Sequence, residues 1–271
     1  MVQAEIIQML KGVITATLCP ALSLWMTHHG YSQAYCGLGP DHGLGGSNSS
    51  SVNDLANSTT SVTGPAGGFG WSYLAYSFGV IVLASDFFEF FYHWCGHRFD
   101  VLWKAHKHHH VFYNPSPFAV IADEYLDQFV RATPLVLLPM AMPINIDLMF
   151  AIYAIMFYGY GVYLHCGFEA DCLPAHHPIF NTSFQHYAHH AISVKNKPYH
   201  TGFFIKIWDQ LFGSMYTGET VIPALEARKR GLRTREAYDK VIKPDYSPLL
   251  SLAAWRKALR DDVARAAAKM A

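Results

Sequence analysis

The chain has 271 residues, 51% of them apolar and 15% charged, with twenty basic side chains balanced by twenty acidic ones. So little charge and a positive mean hydropathy exclude the basic face of a nucleic-acid binder and do not suit a soluble enzyme. They suit a polytopic membrane protein, one domain with enough chain to bury a core. The placement of charge is more telling than its sum. Lysine and arginine are absent from residues 28 to 70 and from 132 to 164. Arg98, Lys104, Lys107 and Arg131 lie between those zones, and fifteen basic residues lie from Lys195 onward. Such asymmetry assigns sides of a membrane.

In chain order, residues 5 to 27, "EIIQMLKGVITATLCPALSLWMT", are apolar enough to enter a bilayer, with Pro20 expected to kink the helix. A cleaved signal peptide is the competing reading, against which stands a poor small-residue cleavage pattern. The unit 1–30 is thus an N-terminal transmembrane helix or signal anchor. Residues 31–70 follow as a Gly/Ser/Asn/Thr linker that cannot bury a core. It carries two glycosylation acceptors, Asn48 with Ser50 and Asn57 with Thr59, usable only if the loop 28–70 is lumenal. The lack of basic residues points the same way. A third pattern, Asn181 to Ser183, is expected on the other side and bare.

Residues 71 to 92 form the second span, about 33 Å long as a helix. Residues 126 to 164 are apolar again, broken by Pro134, Pro139, Pro143 and the polar turn "NID" at 145–147. They read as two further spans folded into a hairpin, which returns His165 to the side that holds His93. Short helices are expected from 166 to 217, and the charge run at 225–243 is a solvated surface. The unit 221–271 ends in an amphipathic helix with Leu252, Trp255, Leu259 and Val263 on one face, docked either on the domain or on lipid. The expectation is an all-α integral membrane helical bundle of about four transmembrane helices, with a cytosolic histidine-rich di-metal cap. Five scattered cysteines make no disulfide scaffold and read as apolar fillers.

The stretch "YHWCGHRFDVLWKAHKHHH", residues 92 to 110, holds six of the sixteen histidines. Asp86, Glu89, His93 and His97 are spaced to share one helix face, so both rings can reach one metal or two adjacent ones, each with a carboxylate one turn earlier to accept its free N–H. His106, His109 and His110 form H-x-x-H-H, and His186, His189 and His190 repeat it; His165 ends the hairpin. One H-x-x-x-H is as well explained by a structural pair, and one H-x-x-H-H by a solvated basic patch. Two copies with the first pair, all on one side of the membrane, are not. One ion takes four to six ligands, so nine histidines suit two ions. His28, His29 and His42 belong to the lumenal side; His108 is expected to point outward, and whether His176, His177 or His200 support or stand in for ligands is left open by the sequence. Imidazole suits zinc, copper, nickel and iron alike, so ligand type leaves the metal open. An all-imidazole pair beside apolar spans is a design for bringing dioxygen to an unactivated C–H bond of a lipid.

These motifs resemble those of the fatty acid hydroxylase/sterol desaturase superfamily, over about residues 71 to 217. "HKHHHVFYNPSPFA" (106–119), "LHCGFE" at the hairpin end and "WDQLFGSMY" (208–216) are similar to segments of the C-5 sterol desaturase subgroup. Two features differ: Trp94 stands where an arginine usually follows the first histidine, and residues 191–207 lack the customary "NYG". The resemblance implies a catalytic domain over 71–220 in a multi-pass protein of the endoplasmic reticulum membrane, its active site facing the cytosol. It also implies two non-haem iron ions, O2 as co-substrate and a cytochrome b5-type or similar electron donor. Carried over by position, His93, His97, His106, His109, His110, His165, His186, His189 and His190 are the expected catalytic iron ligands. The substrate is then a sterol or sterol-like lipid, desaturated or hydroxylated, or alternatively a fatty acyl or other aliphatic chain. A histidine-rich metal transporter or sensor is the reading from another class, disfavoured because transporters set polar ligands midway along spans.

Overall fold

The computed structural model describes residues 2–36, 69–170, 172–173, 177–216 and 245–270. Asn48, Asn57, His42, His176 and the charge run at 225–243 lie outside the described residues.

Helix α1 (Val2–Ala16) passes at Thr17 into α2 (Leu18–His28), and the two make one apolar rod. The break falls where Pro20 requires it, since its ring opposes the carbonyl four residues earlier, that of Ala16. Helix α3 (Trp71–Arg98) is a 28-residue rod, about 42 Å long and more than a hydrocarbon core needs. It stops at Phe99, whose extended backbone turns the chain into α4 (Asp100–His106). Two 3-10 turns follow, His109–Val111 and Pro117–Ile121, then α5 (Tyr125–Arg131) and α6 (Pro134–Ala141).

The polar turn at 145–147 is where the hairpin reverses. Strand β1 (Ala34–Tyr35) pairs in parallel with β2 (Ile144–Asn145), and Asn145 caps α7 (Ile146–Ile152) by accepting from the Leu148 amide at 2.8 Å. From α7 the chain runs through a π-helical stretch, Tyr153–Gly159, into α8 (Tyr160–His165). Helices α9 (Ser183–Ile192), α10 (Ile207–Leu211) and α11 (Leu252–Met270) complete the described fold.

Among the described residues three stretches are long and apolar enough to cross a membrane: Val2–His28, Trp71–Arg98 and Ile146–His165. The sequence had suggested about four. Residues 126–141, expected to supply the other, are instead divided between α5 and α6 at Ala132–Thr133, and eight residues of α6 reach only about 12 Å. Prolines account for this, Pro134 starting α6 and Pro143 forcing Met142 out of helical geometry. The apolar core lies between α2, α3, α6 and α7, around Ile81, Leu135, Ile144 and Met149.

The three rods place their ends consistently. The C-termini of α3 and α8 and the N-terminus of α1 gather at one end of the molecule, while the β1–β2 pair, Tyr73 and Pro143 meet at the other. At the first end α1 is pinned to the Pro117–Ile121 turn: Glu5, fully buried, accepts from the Ser116 amide at 3.1 Å and from its hydroxyl. Gly12 makes the approach possible, because a Cβ there would stand 2.0 Å from the Ile121 carbonyl oxygen.

Candidate metal centre

The nine histidines named from the sequence converge at that end in two sets. His93, His97, His106, His110 and His189 form one, and His109, His165, His186 and His190 the other; within each, one ring nitrogen per residue lies within 4.8 Å of all the rest. The sets abut, with the His109 and His190 rings 4.6 Å apart and those of His110 and His190 5.2 Å apart. All nine side chains are buried.

Helical spacing explains the division. Residues four apart share a face, whereas the residue three along sits on its other flank. His93 and His97 on α3, and His106 and His110 around the α4 corner, therefore enter the first set as i, i+4 pairs. His186 and His190 on α9 enter the second set in the same way. The middle histidine of each H-x-x-H-H crosses over, His109 into the second set and His189 into the first. Gly96 lets α3 and α4 close on each other, since a Cβ there would come within 3.2 Å of His106 Cγ.

Chemistry then assigns the protons. A carbonyl oxygen only accepts, so each ring nitrogen that meets one must donate. His93 Nδ1 donates to the Thr201 carbonyl (2.9 Å), His97 Nδ1 to Val194 (3.3 Å), His189 Nδ1 to Tyr199 (2.6 Å) and His165 Nδ1 to Gly161 (2.7 Å). His106 Nδ1 meets the Asp127 carboxylate at 3.0 Å. His109 Nδ1 stands 3.0 Å from Asp123 Oδ1. Every ring so tethered presents Nε2 as a bare lone pair.

In the first set four such lone pairs converge with His110, whose Nε2 lies 3.1 Å from His106 Nε2 and 3.2 Å from His189 Nε2. His93 Nε2, His97 Nε2 and both nitrogens of His190 are buried with no hydrogen-bond partner among the described residues. Converging buried acceptors are costly unless a cation sits among them. Each set thus has the donor chemistry and the geometry to hold a metal ion. Burial and the neighbouring imidazoles keep the basicity of His110, His186 and His190 well below the histidine norm, and burial does so for His189 against its bond to Tyr199. Neutral imidazole is the metal-binding form.

A buried charge network backs the centre. The Arg131 guanidinium bonds Glu89 Oε1 through Nε (2.7 Å) and a terminal nitrogen, and Asp123 Oδ2 through the other (2.6 Å). Burial opposes ionisation of Asp123, yet Arg131 and His109 hold its carboxyl well below the usual carboxylate range. The carboxylates that the sequence offered to the first histidine pair have other duties. Glu89 takes Arg131, and Asp86 accepts from the amides of Phe204 (2.8 Å) and Ile205 (3.2 Å) and from Trp208 Nε1 (2.8 Å). A neighbour, Asp209, accepts from the Thr201 and Gly202 amides at 3.0 and 2.8 Å and from Ser214 Oγ at 2.5 Å. The "WD" of residues 208–209 therefore secures the strip that orients His93.

The remaining described histidines stay outside both sets. His108 is partly exposed, 4.0 Å from Glu124. His177 Nδ1 accepts from the amides of Ile179 (3.2 Å) and Phe180 (3.0 Å), and His200 is buried with a positive φ of 50°. Asn181 is buried, its side chain bonded to Gly202 and Thr182. The described cysteines are free.

Two abutting imidazole cages at one end of bilayer-length apolar helices define a membrane protein of histidine-rich, metal-binding design. The model of the fatty acid hydroxylase family matches residues 78–214, half of the chain and all nine clustered histidines, and the chain belongs to that family. It is 26% identical over 145 residues to lathosterol oxidase of Mus musculus, a stretch that is 54% of this chain and 46% of that protein. The chain thus spans about half the length of the curated relative it matches. No solved structure matches it.

Proposed function

We propose that the protein is a membrane-bound non-haem di-iron oxidoreductase that uses O2 to desaturate or hydroxylate an unactivated C–H site of a sterol or sterol-like lipid. The observation that carries this reading is the division of nine buried histidines into sets of five and four. His93, His97, His106, His110 and His189 hold one ion, and His109, His165, His186 and His190 the other. When bound, the irons supply the oxidising power that no side chain has.

The chain's own part is positioning and exclusion of water. Asp123, Asp127 and the carbonyls of Gly161, Val194, Tyr199 and Thr201 orient the rings, which is how outer partners tune a metal site. The lipid enters a narrow cleft between α3, α5 and the π-helical stretch, walled by Val120, Tyr153, Phe157, Tyr158 and Phe203, with Glu89 and Arg131 on its polar side. The π-helix belongs here, as such stretches frequently mark functional sites. At about 40 Å³ the cleft must widen by side-chain movement to admit a lipid. Arg131, through Asp123, joins its wall to His109.

The sterol preference is supported by the similarity to a protein named lathosterol oxidase. The family description, fatty acid hydroxylase, favours the second reading, oxidation of a fatty acyl or other aliphatic chain. Within this proposal residues 71–220 are the catalytic domain in the endoplasmic reticulum membrane, with the centre on the cytosolic face and loop 28–70 lumenal, glycosylated at Asn48 and Asn57. A cytochrome b5-type protein delivers the electrons. Closed cages at the span ends, without ligands midway along several spans, speak against a transporter.

The test is expression with sterol and fatty acyl lipids, followed by O2 uptake, metal analysis and product mass. Loss of two hydrogens or gain of one oxygen, with two irons per chain, is expected. No lipid-dependent O2 uptake by iron-loaded protein would refute the proposal.

A further inference from the structure

Helices α3 and α5 build the polar wall of the cleft. On α5, Asp127 and Arg131, four residues apart, turn to His106 and Asp123 in the metal network, while Gln128, Arg131 and Ala132 line the cleft. On α3, Glu89 completes the wall one helical turn before His93. Gln128 is only 5% exposed. Its backbone bonds run along the helix, its amide donating to Glu124 at 2.9 Å and its carbonyl accepting from Ala132 at 3.2 Å. Its side chain has no hydrogen-bond partner among the described residues. Glu89 is 7% exposed, and both bonds it takes from Arg131 end on Oε1. Oε2 is left without a partner among the described residues.

Tyr158, on the π-helical stretch, lines the same cleft with its hydroxyl unclaimed among the described residues, whereas the Tyr153 hydroxyl is taken by Ser85 at 2.9 Å. Polar groups so deeply set are costly to leave unpaired, and Val120, Phe157 and Phe203 opposite them offer no side-chain partner. The pattern of donors and acceptors selects the occupant. Glu89 Oε2, a carboxylate oxygen, accepts only, and the Gln128 amide donates through Nε2. A hydroxyl gives its proton to the first and accepts from the second. An ether oxygen has no proton to give and leaves Oε2 unpaired. An ionised carboxylate or phosphate also has none, and it meets a wall whose one guanidinium is already shared by two carboxylates, Glu89 and Asp123.

We infer that this wall is a hydroxyl-recognition subsite, in which Gln128 and Glu89, with Tyr158 beside them, hold the hydroxyl of a neutral lipid alcohol next to the metal centre. Gln128 is then a specificity-determining residue, selecting alcohols over acids and ethers of the same chain. The subsite rests on the cleft being where the lipid binds, as proposed above, and it narrows that lipid to an alcohol. A pocket built to pair a hydroxyl discriminates strongly against analogues that lack one, because its own buried groups then go unpaired.

The test varies the head of the lipid and keeps its body. Octadecanol, its methyl ether and octadecanoic acid compete with tritiated octadecanol for the full-length protein in detergent micelles, and cholestanol against its methyl ether repeats the comparison on a sterol frame. On a frame that binds, the alcohol is expected to hold at least about tenfold more tightly than its analogues, and Gln128→Met, which keeps the side-chain length and removes its hydrogen bonds, to cut that preference to about twofold or less. Equal affinity across the heads, preference for the acid, no saturable binding of either alcohol, or a folded Gln128→Met protein with its preference intact would overturn the subsite. The head series on the parent protein decides the matter even where the variant does not fold. O2 uptake by iron-loaded protein is read separately. Alcohol-selective binding without lipid-dependent O2 uptake would refute the oxidoreductase reading and leave the subsite standing, whereas O2 uptake with no preference among the heads in binding would refute the subsite alone.

Discussion

His189 and His110 stand 3.2 Å apart, Nε2 to Nε2, across 79 residues of sequence. Because His189 gives its Nδ1 proton to the Tyr199 carbonyl, the nitrogen it turns to His110 is a lone pair. A contact of two basic nitrogens at this distance holds only with a proton or a metal between them, and three more rings, those of His93, His97 and His106, press on the same point.

Replacing His109 or His190 by Ala removes one donor from the second set without touching the spans. Iron is expected to fall to one per chain or fewer and turnover by at least about a hundredfold, with the protein still in the membrane fraction. Metal analysis beside product formation checks this; turnover near the parent level would take that histidine off the ligand list.

Gly96→Val puts branched carbon where His106 Cγ already limits a Cβ to 3.2 Å. The ring must swing away, so the first set suffers while His165 and His186 are undisturbed. Overpacking of this kind costs about 1–3 kcal/mol, which a thermal-melt comparison reads directly. Spectroscopy of the iron-loaded variant should show the loss confined to one site.

Asp209→Ala strands the Thr201 and Gly202 amides, both donors to its carboxylate. Leaving buried donors unpaired costs about 1–3 kcal/mol each, and the Thr201 carbonyl that orients His93 loses its anchor. A lower melting temperature with weaker iron retention is expected, and the same variant with unchanged iron affinity would separate Asp209 from the site.

Metal-free protein should lose stability as pH falls below about 6.5. Burial holds the folded-state basicity of His110, His186, His189 and His190 well below the ordinary histidine value of about 6.5. The unfolded chain thus takes up protons first, and ∂ΔG/∂pH is positive in that range. Stability is complete above that value and declines beneath it. Chemical denaturation of the apo protein at pH 7.5, 6.5 and 5.5 measures this, and a flat profile would contradict the burial of neutral rings.

Much of the site was legible before the fold was known, because imidazole clusters are rare and their spacing is geometric. The helix break at Pro20 and the reversal near Asn145 were equally readable, proline and an Asn cap having local effects. Three partners of the rings were not. The carbonyls of Val194, Tyr199 and Thr201 belong to every residue and leave no side-chain signature. Asp123 and Asp127 did leave one, two carboxylates four apart just after the first H-x-x-H-H, which the focus on Asp86 and Glu89 obscured. The sequence left the apolar face of α11 open between domain and lipid, and of its four residues only Trp255 turns to α1, beside Ala254 and Ala258. Alanines let two helices approach more closely than leucines do, so Leu252, Leu259 and Val263 stay exposed.

The crossing of His109 and His189 between the cages bears on how the centre assembles. Neither pocket is complete until α9 has closed on the α4 corner, and that closure finishes both together. Capture of the first ion consequently prepares the ground for the second, so loading should be cooperative, with half-filled protein scarce at every iron concentration.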